Sequence, residues 1–296
     1  MAVDRASEEV DFQWRRQRLY LADCFDWLKT AATNSISAVV TDPPYGLVEY
    51  QADQQRKLRA GRGGIWRIPP TFDGSKRKPL PRFTVLSESD LTAITEFFSR
   101  WALEVRRVLK PGGHVVIASN PLVSPYVSAG IASAGLERRG EIVRLVRTFR
   151  GGDRPKGAEA EFPEVSAMPR SCWEPWVLYR KELSEPTLAD NLRKWGTGGL
   201  RRPSAETPFA DVIASGTTPL REREAAPHPS VKPQAFMRKI VRAVLPTGDG
   251  LILDPFAGCA TTLAACEAVG VAGIGIELDR HYFEMAKEAI PALAAI

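Results

Sequence analysis

The chain has 296 residues, 44% hydrophobic and 25% charged, with a formal net charge of +5. That length buries enough surface to fold without disulfide or metal staples, and the composition excludes disordered and fibrous classes. No apolar run approaches the roughly 18 residues of a membrane span, and the acidic start (Asp4, Glu8, Glu9, Asp11) lacks the basic-then-apolar build of a signal peptide, so a cytoplasmic protein with no membrane partner is expected.

Residues 19–24 read as a short strand closing on Asp23 and Cys24, and Phe25-Asp26-Trp27-Leu28 opens a helical turn. A second strand over 37–41 runs directly into Asp42. Between Gln51 and Arg82 there are nine basic residues against two acids, with Trp66 among them. Such an insert is either a solvated loop or one that tracks phosphates and uses the indole for stacking. Leu91, Ile94, Phe98, Trp101, Val105 and Val108 then recur at helical spacing, which predicts an amphipathic helix over 89–109, stopped by Lys110-Pro111-Gly112-Gly113.

Residues 114–118 follow as a buried strand, and 141–147 and 176–179 as two more, separated by a Gly, Pro and charge-rich loop over 150–170. The segment 182–227 has weak periodicity and reads as an insert. A helix over 232–245 carries Phe236, Met237, Ile240, Val241 and Val244 on one face and Arg238, Lys239 and Arg242 on the other. A strand at 251–253, a glycine-bearing turn, a helix closed by Gly270, a strand at 272–276 and a helix over 280–289 complete the chain. This alternation predicts an α/β fold, an open and mainly parallel sheet with helices on both faces.

Two constellations carry chemistry. A strand ending in Asp254, a turn containing Gly258 and a helix starting near Thr261 present backbone N–H groups to a ligand, and Glu277 closes the next strand 19 residues after Gly258. An acid at that spacing reaches the hydroxyls of a ribose, so a nucleotide-like ligand is expected. The second constellation is Asp42-Pro43-Pro44-Tyr45 at the end of an apolar strand. It combines a carboxylate, a proline-stiffened carbonyl and a flat aromatic ring. The four cysteines, Cys24, Cys172, Cys259 and Cys266, show no CxxC pairing and no histidines at metal spacing, so they read as reduced thiols and no metal site is expected.

Together Asp42-Pro43-Pro44-Tyr45 and Asp254-Pro255-Phe256-Ala257-Gly258-Cys259-Ala260-Thr261-Thr262 resemble the catalytic tetrapeptide and the S-adenosylmethionine (AdoMet) loop of the DNA amino-methyltransferases. Their order along the chain resembles the β group, in which the fold is circularly permuted. The resemblance covers 19–45 and 228–289, with a weaker echo over 101–119. It implies a Rossmann-like class I methyltransferase sheet with inserted DNA-recognition segments. The catalytic half would be 1–181 with the basic insert at about 46–88, the candidate target-recognition insert 182–227, and the AdoMet-binding half 228–296.

By the same resemblance, Asp254, Phe256, Gly258, Thr261 and Thr262 form the turn at the methionine end of AdoMet. Glu277 takes the ribose, and Asp23 with Cys24 receives the adenine amino group, although a solvated strand-end acid is the other reading of Asp23. His228, Ser230 and Lys232 resemble the segment whose helix lines the methionine moiety; an ordinary helix start with Ser230 near the N-cap is the alternative. Cys259 and Ala260 replace the family's usual serine and second glycine, and the Ala260 methyl is expected where backbone must approach the cofactor. Trp173-Glu174-Pro175-Trp176 resembles the segment that helps enclose the target base, against buried tryptophans as the alternative. The loop around Arg150-Gly151-Gly152-Asp153-Arg154 is either DNA-facing or simply solvated.

An exocyclic amine is a poor nucleophile because its lone pair is delocalised into the ring. Asp42 and the Pro43 carbonyl would accept its two N–H bonds, while Tyr45 stacks on a base rotated out of the duplex. The absence of a Pro-Cys dipeptide argues against methylation at cytosine C5, which needs a thiolate. The expected function is therefore site-specific methylation of adenine N6 in double-stranded DNA. Cytosine N4 stays open as an alternative, with an RNA or protein-amide methyltransferase and a non-catalytic DNA-binding module further off. The resemblance leaves room for a homodimer and for a cognate restriction enzyme.

Overall fold

The structure is a computed structural model that describes residues 10–44, 88–146, 152, 154–228 and 230–296. Tyr45, nearly all of the basic insert with Trp66, Pro229 and part of the 150–156 loop lie outside the described residues. One nine-stranded sheet organises the rest. In chain order its strands are β1 (Phe12–Trp14), β2 (Gln17–Leu21), β3 (Ile36–Thr41), β4 (Leu109–Ala118), β5 (Glu137–Leu145), β6 (Trp173–Arg180), β7 (Val212–Ala214), β8 (Leu251–Asp254) and β9 (Ala272–Glu277). The helices are α1 (Cys24–Thr30), α2 (Glu88–Val108), α3 (Ser124–Ser133), α4 (Leu188–Trp195), α5 (Leu220–Ala225), α6 (Gln234–Ala243), α7 (Thr261–Ala268) and α8 (Arg280–Ala294).

Across the sheet the strand order is β1-β2-β9-β8-β3-β4-β6-β5-β7. The two strands nearest the C-terminus are thus inserted between β2 and β3, which are nearly consecutive in sequence. From β2 to β4 the pairing is parallel, while β6 runs antiparallel to both β4 and β5. Parallel strands must be covered on both faces, and β3 is accordingly buried along its whole length.

Its alternate residues feed two cores. Val39 packs with Ile94, Phe98, Trp101 and Val105 of α2 on one side. Ala38 and Val40 pack with Phe236, Met237, Ile240 and Val241 of α6 on the other. The predicted amphipathic faces of both helices are the ones that are buried.

Several boundaries differ from expectation. The first of the predicted strands ends at Leu21, because Asp23 turns the chain into α1 by capping it: its carboxylate accepts from the Phe25 and Asp26 amides. Lys110-Pro111-Gly112-Gly113 ends the helix but lies inside β4 rather than in a loop. Helix α3 was not foreseen, and its hydrophobic residues are only weakly sided. The segment 182–227 is docked on the core. Asn191 of α4 is buried and donates to the carbonyls of Pro111 and Thr197, and β7 extends the sheet edge alongside β5.

Candidate active site

Register brings the functional residues together. Leu21 pairs with Glu277, Asp254 with Gly275, and Val39 with Leu253, so the carboxyl ends of β2, β9, β8 and β3 share one edge of the sheet. Ligands of open α/β sheets bind outside that edge. Asp42, which leaves β3 there, lines a single cleft with His228, Ser230, Lys232, Asp254, Phe256, Gly258, Thr261 and Thr262. Two walls encoded at opposite ends of the chain therefore meet. Pro43 is buried and Pro44 exposed, so the turn after Asp42 is anchored on one side.

The Asp42 carboxylate is held from the second wall. Ser230 Oγ donates to its Oδ2 at 2.8 Å, and the Lys232 ammonium sits 2.7 Å from the same oxygen. Ser230 thus does not cap the following helix; the N-cap of α6 is Pro233, which makes no side-chain cap. Lys232, only 7% exposed, also lies 3.0 Å from Glu174 Oε1. Burial by itself would push its pKa down, but the Asp42 and Glu174 carboxylates outweigh that and hold it above the ordinary lysine value.

The glycine turn is built by two acids. Asp254 is buried, accepts from Thr41 Oγ1 at 2.6 Å and from the Phe256 amide at 3.2 Å, and burial pushes its pKa up to about 6. Glu277 accepts from the Gly258 amide at 2.7 Å and the Asp279 amide at 2.8 Å, and burial raises its pKa as well. His228 packs edge-on against Tyr282 with ring centroids 4.5 Å apart, and its Nδ1 accepts from the Ser230 amide. Burial lowers the His228 pKa to about 4, so the ring is neutral near pH 7.

Phe256 also anchors the turn. Its ring leans on Trp101 and Phe97, with centroids 6.0 and 6.3 Å apart, and fastens the turn to the α2 core. Ala260 takes a left-handed conformation with φ of 58°, and its methyl is buried among Leu19, Leu263, Phe283 and Ile290. The expectation that this methyl crowds a cofactor is corrected: the side chain points into the protein. Cys259 is buried beside Thr261, and burial raises its thiol pKa to about 12, which leaves it neutral and inert.

Asp23 and Cys24 lie outside the cleft, but they stand beside its rim, because the Ala22 amide donates to the Glu277 carbonyl. Cys24 is buried at the first turn of α1, with a thiol pKa raised to about 12 by desolvation and by Asp23. Of the two tryptophans in the β6 segment, Trp176 is buried against Phe236, whereas Trp173 is 37% exposed at the open end of the sheet. Sequence reading missed Leu278. This residue directly follows Glu277 and is 71% exposed, an apolar side chain left in solvent. The signal was available, since a leucine directly after a strand-end acid has no strand face to bury.

AdoMet carries an ammonium, a sulfonium, a ribose diol and a purine. The Phe256, Ala257, Gly258 and Ala260 amides are bonded within the protein, which corrects the expectation that this turn presents them to a ligand. Two half-desolvated or buried acids and a cleft-lining glycine turn still fit those groups in kind. The turn is close-fitting. Gly258 has φ of +52°, and a Cβ there would lie 3.4 Å from the His228 ring. A Gly258→Ala variant is expected to fold and to bind AdoMet about tenfold more weakly, since it adds both left-handed strain and bulk in the cleft. Isothermal titration checks this; affinity unchanged within about twofold would show that the turn has room to spare.

Comparisons with known proteins bear on the family and the fold. The DNA methylase family model for N6 and N4 methyltransferases matches residues 174–288. The type II methyltransferase M2.DpnII of Streptococcus pneumoniae is 34% identical over 272 residues, covering 92% of this chain and 88% of that protein. Among solved structures, the M1.HpyAVI–SAM complex superposes with a TM-score of 0.56 at 19% identity, over 93% of this chain and 98% of that one. The cytosine-N4-specific PvuII DNA methyltransferase superposes with a TM-score of 0.57 at 14% identity, over 95% and 92%. These last two likenesses are of fold. With a relative of such identity along nearly its full length, the chain belongs to the N6/N4 DNA methylases, AdoMet-dependent enzymes that methylate exocyclic amino groups of DNA bases.

Proposed function

We propose that this enzyme methylates adenine N6 at a defined short sequence in double-stranded DNA, with Asp42 and the Pro43 carbonyl as the acceptors that orient the target amine. The observation that carries this reading is the placement of Asp42 in the same cleft as the Gly258 turn, with Ser230 and Lys232 fixing its carboxylate. When bound, AdoMet supplies an electrophilic methyl group on a sulfonium.

The chain's own residues do the rest. Asp42 accepts one N–H of the amine and so favours the pyramidal nitrogen whose lone pair is no longer spread into the ring. Pro43 is buried and holds the second acceptor, its carbonyl, with little freedom. Fixing two acceptors in advance supplies the orientation that a free amine in water lacks. Asp254, Gly258, Thr261, Thr262, Phe256 and His228 would hold the methionine end, and Glu277 the ribose, its oxygens already aimed by two backbone amides. Leu278 would cover the purine. Asp23 would meet the adenine amino group from outside the cleft, using lone pairs that its cap does not occupy.

A strand order in which β8 and β9 enter between β2 and β3 supports the permuted arrangement, with the AdoMet half at 228–296 and the catalytic half at 1–181. The segment 182–227 is the candidate for target recognition, with the basic insert second. The aspartate at the head of the tetrapeptide favours adenine over cytosine. Type II names among the relatives support a cognate restriction endonuclease as a partner, and sedimentation velocity decides whether the enzyme works as a homodimer.

Incubating unmethylated genomic DNA with the enzyme and AdoMet, then sequencing it by a long-read method and digesting it to nucleosides, tests the reading. The expected product is N6-methyladenine at one recurrent sequence. N4-methylcytosine would replace the adenine assignment, and unmodified DNA would remove the catalytic one.

A further inference from the structure

The mechanism uses Asp42 but leaves unexplained a chain of buried charges that ends on it. Arg144 and Glu174 are cross-strand partners on β5 and β6, and their side chains meet at 2.8 Å. The other oxygen of Glu174 lies 3.0 Å from Lys232, which in turn lies 2.7 Å from Asp42. Arg144 has its remaining donors on Ser215 Oγ at 3.1 Å and on the Gly216 carbonyl at 3.0 Å, so its guanidinium is fixed on three sides. Signs alternate along the row, and both cations are under 10% exposed.

Such a row is a poor device for stability. Desolvating two cations and two anions costs about as much as their attraction returns, and apolar side chains of equal volume hold a core at least as well. What the row does is restrict geometry. Lys232 is pulled from one side by Asp42 and from the other by Glu174, so the position of its ammonium depends on both. Without the Glu174 charge, Lys232 would settle wholly on Asp42 and draw the carboxylate toward the interior, away from the place where a target amine must find it.

We propose that Glu174 is a positioning residue for the methylation reaction: braced by Arg144, it holds Lys232 back and thereby sets the orientation of the Asp42 carboxylate. This rests on the reading of Asp42 as the amine acceptor. It also assigns a role to a residue in the segment expected to enclose the base, and that role is exercised through Lys232 rather than by touching the base.

The test is a double-mutant cycle on the full-length enzyme, read by single-turnover methylation at saturating AdoMet and by calorimetric AdoMet binding. Glu174→Gln keeps the shape and an acceptor for Lys232 but removes the charge. It is expected to slow methyl transfer by about tenfold or more, as a misplacement of the acceptor by a fraction of an ångström would, while the AdoMet Kd stays within about threefold. In a Lys232→Met background the same Glu174→Gln change is expected to alter the rate by less than about twofold, because its route to Asp42 is gone.

An equal slowing in both backgrounds, or a Glu174→Gln rate within about twofold of the parent, would overturn the proposal. If Glu174→Gln does not fold, Arg144→Lys, which keeps the charge but loses the three-sided brace, takes its place in the cycle with the same expectations. Asp42→Asn is measured alongside. Should it retain parental activity, the reading of Asp42 itself fails; should it be inactive while Glu174→Gln is unaffected, only the positioning role fails.

Discussion

Replacing Asp42 by asparagine is expected to reduce single-turnover methylation by about a hundredfold to a thousandfold while leaving AdoMet affinity within about threefold, the size of effect seen when one preorganised hydrogen-bonding group is lost from a reacting centre. Asparagine keeps the volume and can still receive the Ser230 hydroxyl and the Lys232 ammonium on its carbonyl oxygen. What it loses is the charge, and half of its polar end becomes a donor facing another donor. Alanine is expected to be at least as damaging to catalysis, with the added disturbance that Lys232 then leans on Glu174 alone of the two carboxylates.

The separation of rate from affinity is the informative part. Asp42 approaches the cleft from β3, whereas the acids that would hold AdoMet close β8 and β9, so a substitution in one wall need not disturb the other. Parallel loss of AdoMet binding would mean that Asp42 belongs to the cofactor wall and that the amine acceptor lies elsewhere.

The second large effect is one of pH. Burial raises the Asp254 pKa to about 6, and the cationic methionine end of AdoMet should favour the ionised carboxylate. A cation stabilises the charged form, so binding is strongest above pH 6 and is lost as the group protonates below it. With Asp254 as the dominant titrating group, AdoMet affinity is expected to fall by about tenfold for each pH unit below 6, and Asp254→Asn is expected to bind weakly at every pH with that slope removed.

Folding stability supplies an internal control because the sign is opposite. A carboxyl group whose pKa is higher in the folded than in the unfolded state binds protons preferentially when folded. Its contribution to stability therefore improves as pH falls from 6 toward the ordinary aspartate value of 3.8. Weakened AdoMet binding at pH 5 thus cannot be put down to Asp254 loosening the fold. Calorimetric titrations at several pH values, with melting curves at the same values, check both halves. An affinity that is flat between pH 7 and 5 would sink the assignment of Asp254 to the cationic end.

Much of this molecule was legible in its sequence, for reasons that can be named. Ser37 to Thr41 and residues 251–254 are short runs of buried-strand character, and the helix ending at Val108 has a clean apolar face. The glycine turn announces itself because Gly258 must adopt a positive φ, and few residues do so without strain. Such signals are local: each is carried by a handful of neighbouring residues and needs no partner from elsewhere.

Other features had no local signal. Helix α3 lacks a well-defined apolar side, so period counting passes over it. Helix α5 is short, lacks a side-chain cap and sits in a Pro- and Gly-rich stretch, where docking against α6 and the final helix stabilises it. Ser230 read equally well as a helix cap, and nothing near it in sequence could show that its hydroxyl is spent on Asp42, 188 residues away. The resemblance put Lys232 in the methionine-lining segment and Glu174 in the base-enclosing one and said nothing of Arg144, and nothing local showed that the three form one row ending on Asp42.

The sequence by itself therefore determined the elements with a clear hydrophobic period and the two motifs read as carrying the chemistry, since backbone conformation, hydrophobic period and the reactivity of a carboxylate are properties of short stretches. Which residues face each other across the cleft was decided only by the tertiary structure. Strand register places β3 beside β8 and β5 beside β6 to within a single residue, and ion pairs in direct contact arise only after that alignment exists.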